Sequence, residues 1–500
     1  MNMGRNLLAG LANSIWSALI GFAVVPFYLK YLGIEAYGLI GFFVTTQAVL
    51  SLLDMGMAPT INREVARCSA SGELKEAGKL LHTLAVVYWC MAGAIALLIL
   101  VLAPFIAEYW LQSKQLSPQT ISHAVMLMGL VVACRWPIGL YQGALIGAQR
   151  LTVSSGINMA MVSIGSVGAV VVLAFVSPTI EAFFIWQASV GLVYAITMRM
   201  AAWKIVGKLD HISFDIEKMR SLWRFTAGMS GIGLTALIFT QMDKVILSKM
   251  LGLEKFGHYM LATVVVSGLY VLITPVYNVV YPRFSALVAT GDTDKLAELY
   301  RMGTRLLVSV IFPIAMVLAV FGSELVQIWT GNLAIASSVA PVIAFLAIGS
   351  AIHGAMYFPY ALQLAYGMTR LPLTINIILM IAFVPLIVYF AQTYGAIGGA
   401  LAWLVLHVMY MLLGTWLTHR YLLKGVGIIW LLQDIGIPLM LTLLIGVLGY
   451  FAVHSTEYSV LVKLVCGSVL ALVAIALSIA TSRQLRAAIQ GNLNVIKVTA

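Results

Sequence analysis

Charged and titratable side chains inside long apolar stretches are the residues of this sequence that could do chemistry. Arg135 lies in the middle of the apolar segment 121–145, and Pro137 follows it, where a missing backbone donor can bend a helix. In the second half of the chain, His353 occupies a similar segment and is followed by Pro359. A permanent cation and a base at similar depth would favour an anionic ligand, and a guanidinium suits phosphate because it donates two parallel hydrogen bonds. The alternative is an arginine satisfied by helix carbonyls or by a neighbouring acid.

Four further ionisable residues lie within apolar segments, where a charge is costly and usually faces a cavity or a partner. Asp54 could take up a coupling proton or pair with a basic residue. Asp243 and Lys244 are expected near the outer end of their segment, at an outer gate or in a structural contact. Because adjacent residues point to different sides of a helix, these two are not expected to be partners. His407 could carry a proton or contact the ligand, or it could be a hydrogen-bonded packing residue.

A short polar motif follows the second apolar segment. Asn62, Arg63 and Glu64 could close a cytoplasmic gate by ion pairing, or anchor the helix at the lipid headgroups, which is the simpler interpretation. Metal-ligand spacings, a phosphate-binding glycine loop and an outer loop large enough for a catalytic domain are all missing from the sequence. We therefore expect no catalytic residues, no metal, no cofactor and no enzyme activity.

The elements that must position these residues are membrane-spanning helices. Apolar residues make up 62% of the chain and charged residues only 9%, and a helix needs about 20 apolar residues to cross the hydrocarbon core. We predict an all-α polytopic membrane protein with about fourteen spans, near 11–32, 36–59, 80–107, 121–145, 154–176, 181–198, 224–250, 256–280, 302–322, 336–362, 371–391, 395–418, 430–453 and 459–480. Most of the 29 Lys and Arg residues fall in loops on one side, which predicts that both termini are cytoplasmic. The net charge of +11 then follows from topology, and no nucleic-acid partner is needed.

An internal repeat organises these spans. A constant step of 219 residues pairs Lys30 with Lys249 and Trp110 with Trp329, and it matches the segment 31–38 to the segment 250–257. Duplicated halves in a membrane protein commonly flank a site that opens to one side and then to the other, so the repeat predicts a transporter. The expected division is an N-lobe at 1–198, a cytoplasmic linker at 199–222, a C-lobe at 223–418, and two extra helices with a tail at 419–500.

The order and spacing of several motifs resemble the bacterial polysaccharide transport family of the multidrug/oligosaccharidyl-lipid/polysaccharide (MOP) exporter superfamily, the O-antigen-type flippases. The motifs are Pro26-Phe27-Tyr28-Leu29-Lys30-Tyr31-Leu32-Gly33, Tyr37-Gly38, Leu53-Asp54-Met55-Gly56, Asn62-Arg63-Glu64 with Arg67, Asp243-Lys244-Val245-Ile246-Leu247 and Leu251-Gly252. The resemblance implies two six-helix lobes around a central cavity in the bacterial inner membrane. It also implies flipping of undecaprenyl-pyrophosphate-linked oligosaccharide from the cytoplasmic to the periplasmic leaflet.

Within that framework, Arg135 would face the pyrophosphate, and the polyprenyl tail would stay in lipid along the last two helices. Membrane lipids and other polysaccharide-assembly proteins are the further partners that we expect. Two departures separate the chain from neighbouring branches: its first helix has no acid, which disfavours cation-coupled drug export, and Arg5 lies only at the edge of that helix, which disfavours a peptidoglycan-precursor flippase. The alternative functions are a drug or organic-cation antiporter and a membrane-embedded polysaccharide polymerase or ligase.

Overall fold

The computed structural model describes residues 3–54, 56–71, 74–207, 238–455, 458–482 and 485–487 of the chain. Every regular element in these ranges is a helix, and one isolated bridge joins Gln112 to Gly252. The all-α fold class predicted from composition is therefore confirmed. Most of the predicted linker, 199–222, lies outside the described residues.

Packing divides the chain into two compact units, Met1–Gly257 and His258–Ala500. The helices of the first unit are α1 (Met3–Leu50), α2 (Met57–Ser71), α3 (Leu74–Phe105), α4 (Pro118–Arg135), α5 (Ile138–Gly147), α6 (Leu151–Phe175), α7 (Ile180–Val206) and α8, described over 238–250. Within this unit α1 packs against α6, α2 against α5, α3 against α4, and α7 against both α4 and α6. The four-part division predicted from the sequence stays a prediction.

The second unit continues from α9, whose first residues belong to the first unit. Its helices are α9 (Leu253–Thr290), α10 (Thr293–Thr330), α11 (Leu333–Ala365), α12 (Arg370–Tyr394), α13 (Ala396–Tyr421), α14 (Val426–Ile429), α15 (Ile437–His454) and α16 (Val460–Ala480). A π-helical segment, Trp430–Gly436, connects α14 to α15. The helix α10 packs against α11, α15 and α16, while α13 lies between α11 and α12.

Twelve helical segments in the described part are long and apolar enough to cross a membrane. One of them, Leu8–Asp54, contains two predicted spans, because α1 is broken at Gly33, whose φ of 79° lies in the left-handed region. The predicted span 224–250 is described only from residue 238, where the chain is helical. The remaining predicted spans each match one of these segments. The protein is therefore a multi-pass membrane protein.

The repeat has a physical counterpart in the contact between its two copies. Gly38 lies against the backbone of Leu253, and Gly257 lies against the backbone of Ile34, so the two contacts are related by the same 219-residue step. At either glycine a Cβ would overlap a carbonyl oxygen of the other copy. Small residues let helix backbones approach this closely in membranes. The last residues of the two repeated segments, 31–38 and 250–257, are therefore held by a backbone-to-backbone contact.

Polar residues after Asp54 form a separate amphipathic helix rather than the end of the second span. The left-handed φ of Gly56 (79°) breaks the chain, and α2 begins at Met57. One face of α2 is buried against α3 and α5, through Met57, Ile61, Val65 and Cys68. Similarly, α7 continues to Val206, beyond the predicted span end at 198, because Ala202 and Val206 pack into the same core.

Candidate functional site

Arg135 ends α4 inside the first unit, and it has no carboxylate partner among the described residues. Its Nη2 donates a hydrogen bond of 2.5 Å to Oε1 of Gln187, a buried residue of α7. Its guanidinium also lies over the ring of Phe43, with Cζ 5.8 Å from the ring centroid. Neither a helix carbonyl nor an acid is among the described hydrogen-bond partners of the guanidinium, and the alternative considered from the sequence stays open. Among the described residues, the neutral amide of Gln187 does not compensate the positive charge, and the remaining N–H donors have no described acceptor.

Two further groups hold Arg135 in place. Gln187 donates from Nε2 to the carbonyl of Gly165 at 3.2 Å, which fixes its amide so that Oε1 faces the guanidinium. One turn along α7, a Cβ at Gly191 would lie only 3.0 Å from Cγ of Arg135, so the absent side chain leaves room for the arginine stem. The helix is interrupted at Pro137, since α4 ends at Arg135 and α5 starts after Pro137. The helix end adds partial negative charge near the cation.

Asp54 lies at a helix break rather than within a helix. Its Oδ2 accepts a hydrogen bond from the backbone N–H of Ala58 at 3.3 Å, in the first turn of α2, and its Oδ1 accepts from the hydroxyl of Tyr88. Both described partners are neutral, and the two roles considered for Asp54, a coupling proton or a pair with a basic residue, stay predictions. In the structure, Gly56 ends the preceding helical run and the carboxylate stabilises the start of the next helix.

The predicted gate residues lie together on α2. Asn62 and Glu64 are partly buried and Arg63 is exposed. Glu64 pairs at 2.9 Å with Arg67 of the same helix, three residues on, and the Arg67 side chain is 64% exposed. The structure thus shows Glu64 in a local surface pair, and a gating role for these residues stays a prediction.

Asp243 and Lys244 are partners, and the sequence-based expectation that they would not pair is wrong. Lys244 Nζ lies 3.1 Å from Oδ1 of Asp243 and 2.9 Å from the carbonyl of Thr240. The lysine stem is long and flexible enough to fold back along its own helix, so the different directions of two adjacent Cβ atoms do not prevent the contact. Both side chains are almost completely buried, which favours pairing because an isolated buried charge is costly.

His353 and His407, predicted separately, meet inside the second unit. Their ring centroids lie 4.5 Å apart, with His353 on α11 and His407 on α13. His353 Nδ1 shares a 2.8 Å hydrogen bond with the hydroxyl of Tyr270 on α9, and His407 Nδ1 lies 2.8 Å from the carbonyl of Trp403. The Arg135 site and this histidine pair belong to different units, so a shared cavity stays a prediction.

Tyrosines around these histidines were missed in the sequence analysis. Tyr277 of α9 contacts Tyr281 on its own helix, and Tyr357 and Tyr360 on α11, with ring centroids 5.6–6.1 Å apart. The available signal was spacing, because Tyr277 and Tyr281 are one turn apart and Tyr357 follows His353 by one turn. Nothing in the sequence alone indicates that α9 and α11 bring the two sets together.

A second missed cluster joins the two extra helices to α10. Arg301 donates from Nε to Oδ2 of the buried Asp434 at 2.6 Å, and from Nη2 to Oδ1 at 3.3 Å. Arg305, which is 4% exposed, donates to the carbonyl of Gln433 and to Oγ1 of Thr481, the latter at 2.6 Å. From the sequence, both arginines count only among the Lys and Arg residues of the cytoplasmic loops, which predict the orientation of the protein in the membrane.

Glu35 was also missed as a structural residue. It follows the break at Gly33, and its carboxylate accepts from the hydroxyl of Ser113 and from the backbone N–H groups of Lys114 and Gln115, at 3.2 and 3.1 Å. The residue itself is buried. Glu35 therefore fixes the loop between α3 and α4, and the acid is engaged in structure.

Comparisons with known proteins agree with this architecture. The family described as "Polysaccharide biosynthesis protein" matches residues 29–333. A Shigella flexneri protein named "Putative O-antigen transporter" is 21% identical over 426 residues, which cover 82% of this chain and 98% of that protein. The solved structure of the lipid II flippase MurJ, in an inward closed conformation, covers 94% of this chain and 98% of its own, with a TM-score of 0.68 and 12% identity.

A second solved structure widens the fold family. An inward-facing multidrug resistance MATE transporter of the MOP superfamily covers 82% of this chain and 98% of its own, with a TM-score of 0.62 and 13% identity. The fold is thus common to flippases and drug transporters. The resemblance to the MOP superfamily that the sequence motifs indicated is confirmed, together with its polysaccharide branch.

Proposed function

Because this chain belongs to the polysaccharide biosynthesis protein family, we propose that it is a flippase for undecaprenyl-pyrophosphate-linked oligosaccharide. It moves an O-antigen-like repeat unit from the cytoplasmic to the periplasmic leaflet of the bacterial inner membrane by alternating access, with both of its termini in the cytoplasm. The similar proteins named above as an O-antigen transporter and a lipid II flippase support this assignment. We do not assign it an enzyme activity.

The observation that carries the proposal is the uncompensated Arg135. A cation that is held by Gln187 and Gly191, with no described carboxylate partner, is suited to an anion rather than to a cationic drug. In the proposed mechanism, its free N–H groups donate to pyrophosphate oxygens, and the charge of the arginine compensates that of the head group. The same charge disfavours the drug-antiporter alternative, which needs an acidic site.

An apolar groove in the second unit suits the polyprenyl tail. It has a volume of about 330 Å³ and lies between α10, α11 and α15, with Met316, Ile348, Leu443 and Phe451 in its wall. Because lipid is as apolar as the groove wall, a polyprenyl chain would be held there by packing contacts rather than by removal from water. In the proposed mechanism the tail remains in contact with lipid along this groove while the head group crosses.

The test of the function is the lipid-linked oligosaccharide pool of a deletion strain. We expect surface polysaccharide to be lost and the lipid-linked intermediate to accumulate on the cytoplasmic side, and we expect the wild-type gene to restore both. Unchanged surface polysaccharide without accumulation would defeat the proposal.

Arg135 is tested separately by complementation. Arg135→Ala should lower the flipping rate about 10- to 100-fold, because hydrogen bonds to charged groups contribute about 1.5–3 kcal/mol. Arg135→Lys should retain part of the activity, since it keeps the charge and loses the two-pronged geometry. Arg150→Ala is the matched control, because Arg150 is an exposed arginine of the same unit. Full activity of Arg135→Ala would remove this residue from the mechanism.

A further inference from the structure

Four tyrosines of the second unit pack together and form an aromatic surface. The four rings are Tyr277 and Tyr281 of α9 with Tyr357 and Tyr360 of α11, and we call them the tyrosine cluster. The planes of Tyr277 and Tyr281 are nearly parallel at 3°, those of Tyr277 and Tyr360 lie within 23°, and Tyr357 meets Tyr277 edge to face at 81°. Through Tyr357, whose ring centroid is 5.3 Å from that of His353, the cluster continues to the histidine pair.

The hydroxyls of the cluster have unused hydrogen-bonding capacity. In the described part of the chain, none of the four phenol oxygens hydrogen-bonds to a protein group, and none of them is enclosed. All four residues are half-buried. A polar group in a membrane protein that lacks a protein partner is costly unless water or a ligand supplies one. The open side of the cluster is therefore a wet surface or a binding surface.

The position of the cluster on α9 separates it from the lipid-facing side. Leu272 and Val279 are large exposed apolar residues, and at 100° per residue they point away from Tyr277 and Tyr281. Val271, which is also exposed, lies about 80° from Tyr281, on the side of Asn278. Exposed Thr274 and Asn278 lie on the helix beside the tyrosines. Exposed polar residues next to half-buried phenols indicate a side of α9 that is in contact with water rather than hydrocarbon.

The chemistry of the cluster selects for an uncharged polyhydroxylated ligand. The faces of aromatic rings are electron-rich and attract the weakly positive C–H groups of a pyranose face, while a phenol hydroxyl both donates to and accepts from sugar hydroxyls. The electrostatic neighbours described for Tyr277, Tyr357 and Tyr360 are other tyrosines, with no carboxylate, lysine or arginine among them. A pyrophosphate would find no countercharge among these neighbours, so the cluster suits the uncharged sugar of the lipid rather than its pyrophosphate.

From this geometry we infer that the tyrosine cluster, continued by His353 and His407, binds the sugar portion of the transported lipid. The inference rests on the proposed flippase function for its substrate and names a second contact site for it, separate from Arg135. From Tyr270, which bonds to His353, to Tyr281, α9 rises about 16 Å, so the surface is longer than one sugar ring. The tyrosines of the second unit hold the sugar.

Full-length protein reconstituted in proteoliposomes tests the inference. The substrate is the lipid-linked oligosaccharide extracted from the deletion strain, and the competitor is undecaprenyl pyrophosphate without sugar. We expect Tyr277→Leu and Tyr360→Leu each to raise the half-saturating substrate concentration about 2- to 12-fold, because an aromatic contact contributes about 0.5–1.5 kcal/mol. The inhibition constant of the competitor should not change. Tyr389→Leu is the matched control, because Tyr389 is 63% exposed on α12.

A phenylalanine variant and a binding assay with free sugar separate loss of sugar binding from loss of folding. Tyr277→Phe retains the ring, so this variant should fold even if the leucine variant does not. It should raise the half-saturating substrate concentration about threefold or less. Binding of the free oligosaccharide, released from the same lipid by mild acid, is followed by intrinsic fluorescence in detergent, and Tyr277→Leu should weaken it without affecting Tyr389→Leu. Leucine variants that match the Tyr389 control, or that weaken the unglycosylated competitor by the same factor, would overturn the inference. A wild-type protein that binds the free sugar but flips no lipid would instead refute the proposed function.

Discussion

Removing the charge of Asp434 tests whether the polar cluster on α10 holds the last two helices in place. Asp434→Asn keeps the shape of the side chain and removes the countercharge of Arg301, whose Nε lies 2.6 Å from Oδ2. The carboxylate side chain is 9% exposed and that of Arg301 is 26% exposed, so solvent screens the pair only partly. Removing one partner of a buried ion pair costs about 3–5 kcal/mol of stability. Because Arg301 is partly exposed, we expect the lower end of this range, about 3 kcal/mol.

Thermal unfolding of the purified protein in detergent measures this cost. For a unit of this size, one kcal/mol corresponds to about 2–4 °C in Tm, so Asp434→Asn should lower Tm by about 6–12 °C. Glu64→Gln is the control, because its partner Arg67 is 64% exposed and such pairs contribute about 1 kcal/mol or less. The double variant Arg301→Met with Asp434→Leu should recover most of the loss, since no uncompensated charge remains in the pair.

A local readout distinguishes detachment of the helices from general loss of stability. Cys466 on α16 is partly buried, whereas Cys90 in the first unit is exposed and serves as the internal reference. Asp434→Asn should raise the labelling rate of Cys466 relative to Cys90 below Tm. A variant that melts within about 2 °C of wild type, with an unchanged labelling ratio, would refute the reasoning.

Two further predictions concern the first unit. Gly38→Ala and Gly257→Ala should each abolish stable expression or lower Tm strongly, because the added Cβ overlaps a backbone carbonyl of the other repeat copy. Gly21→Ala is the control and should be neutral or stabilising, because open space surrounds Gly21. Fluorescence-detected size exclusion compares the three variants. Equal behaviour of the three variants would contradict the close contact. Glu35→Ala should free the loop 113–116 and increase its cleavage by protease. The expected cost in stability is about 1–3 kcal/mol, because two backbone amides lose their acceptor. Glu108→Ala, which changes an exposed acid of the same region, should leave the cleavage unchanged. Protection of the loop that is unchanged in Glu35→Ala would contradict the assigned role.

The sequence predicted those features that depend on composition and repetition. Apolar length predicted the spans, and the 219-residue step pairs Gly33, where α1 breaks, with Gly252, which directly precedes α9. Proline chemistry indicated the helix interruption after Arg135. These properties are local, or repeat along the chain, so no knowledge of packing was required.

Features that depend on which helices are neighbours could not be predicted in the same way. His353 and His407 were assigned to separate segments, and only the packing of α11 against α13 brings their rings together. The pairing of Asp243 with Lys244 was missed because the Cβ directions on a helix do not limit a long flexible side chain. The partner of Arg135 was likewise not predictable, because Gln187 is one of many polar residues within spans and only its contact with Gly165 distinguishes it.

The anchoring of α15 and α16 has a consequence for how this protein can be shortened. The two extra helices predicted at 419–500 lie outside the repeated lobes, which suggests that they could be deleted as an accessory. In this chain, however, Arg301 and Arg305 belong to α10, while their acceptors at Asp434, Gln433 and Thr481 all come later than residue 421. A polypeptide ending after α13 would expose two arginines that have lost every described acceptor, so a minimal transporter based on this sequence must first replace both of them with apolar residues.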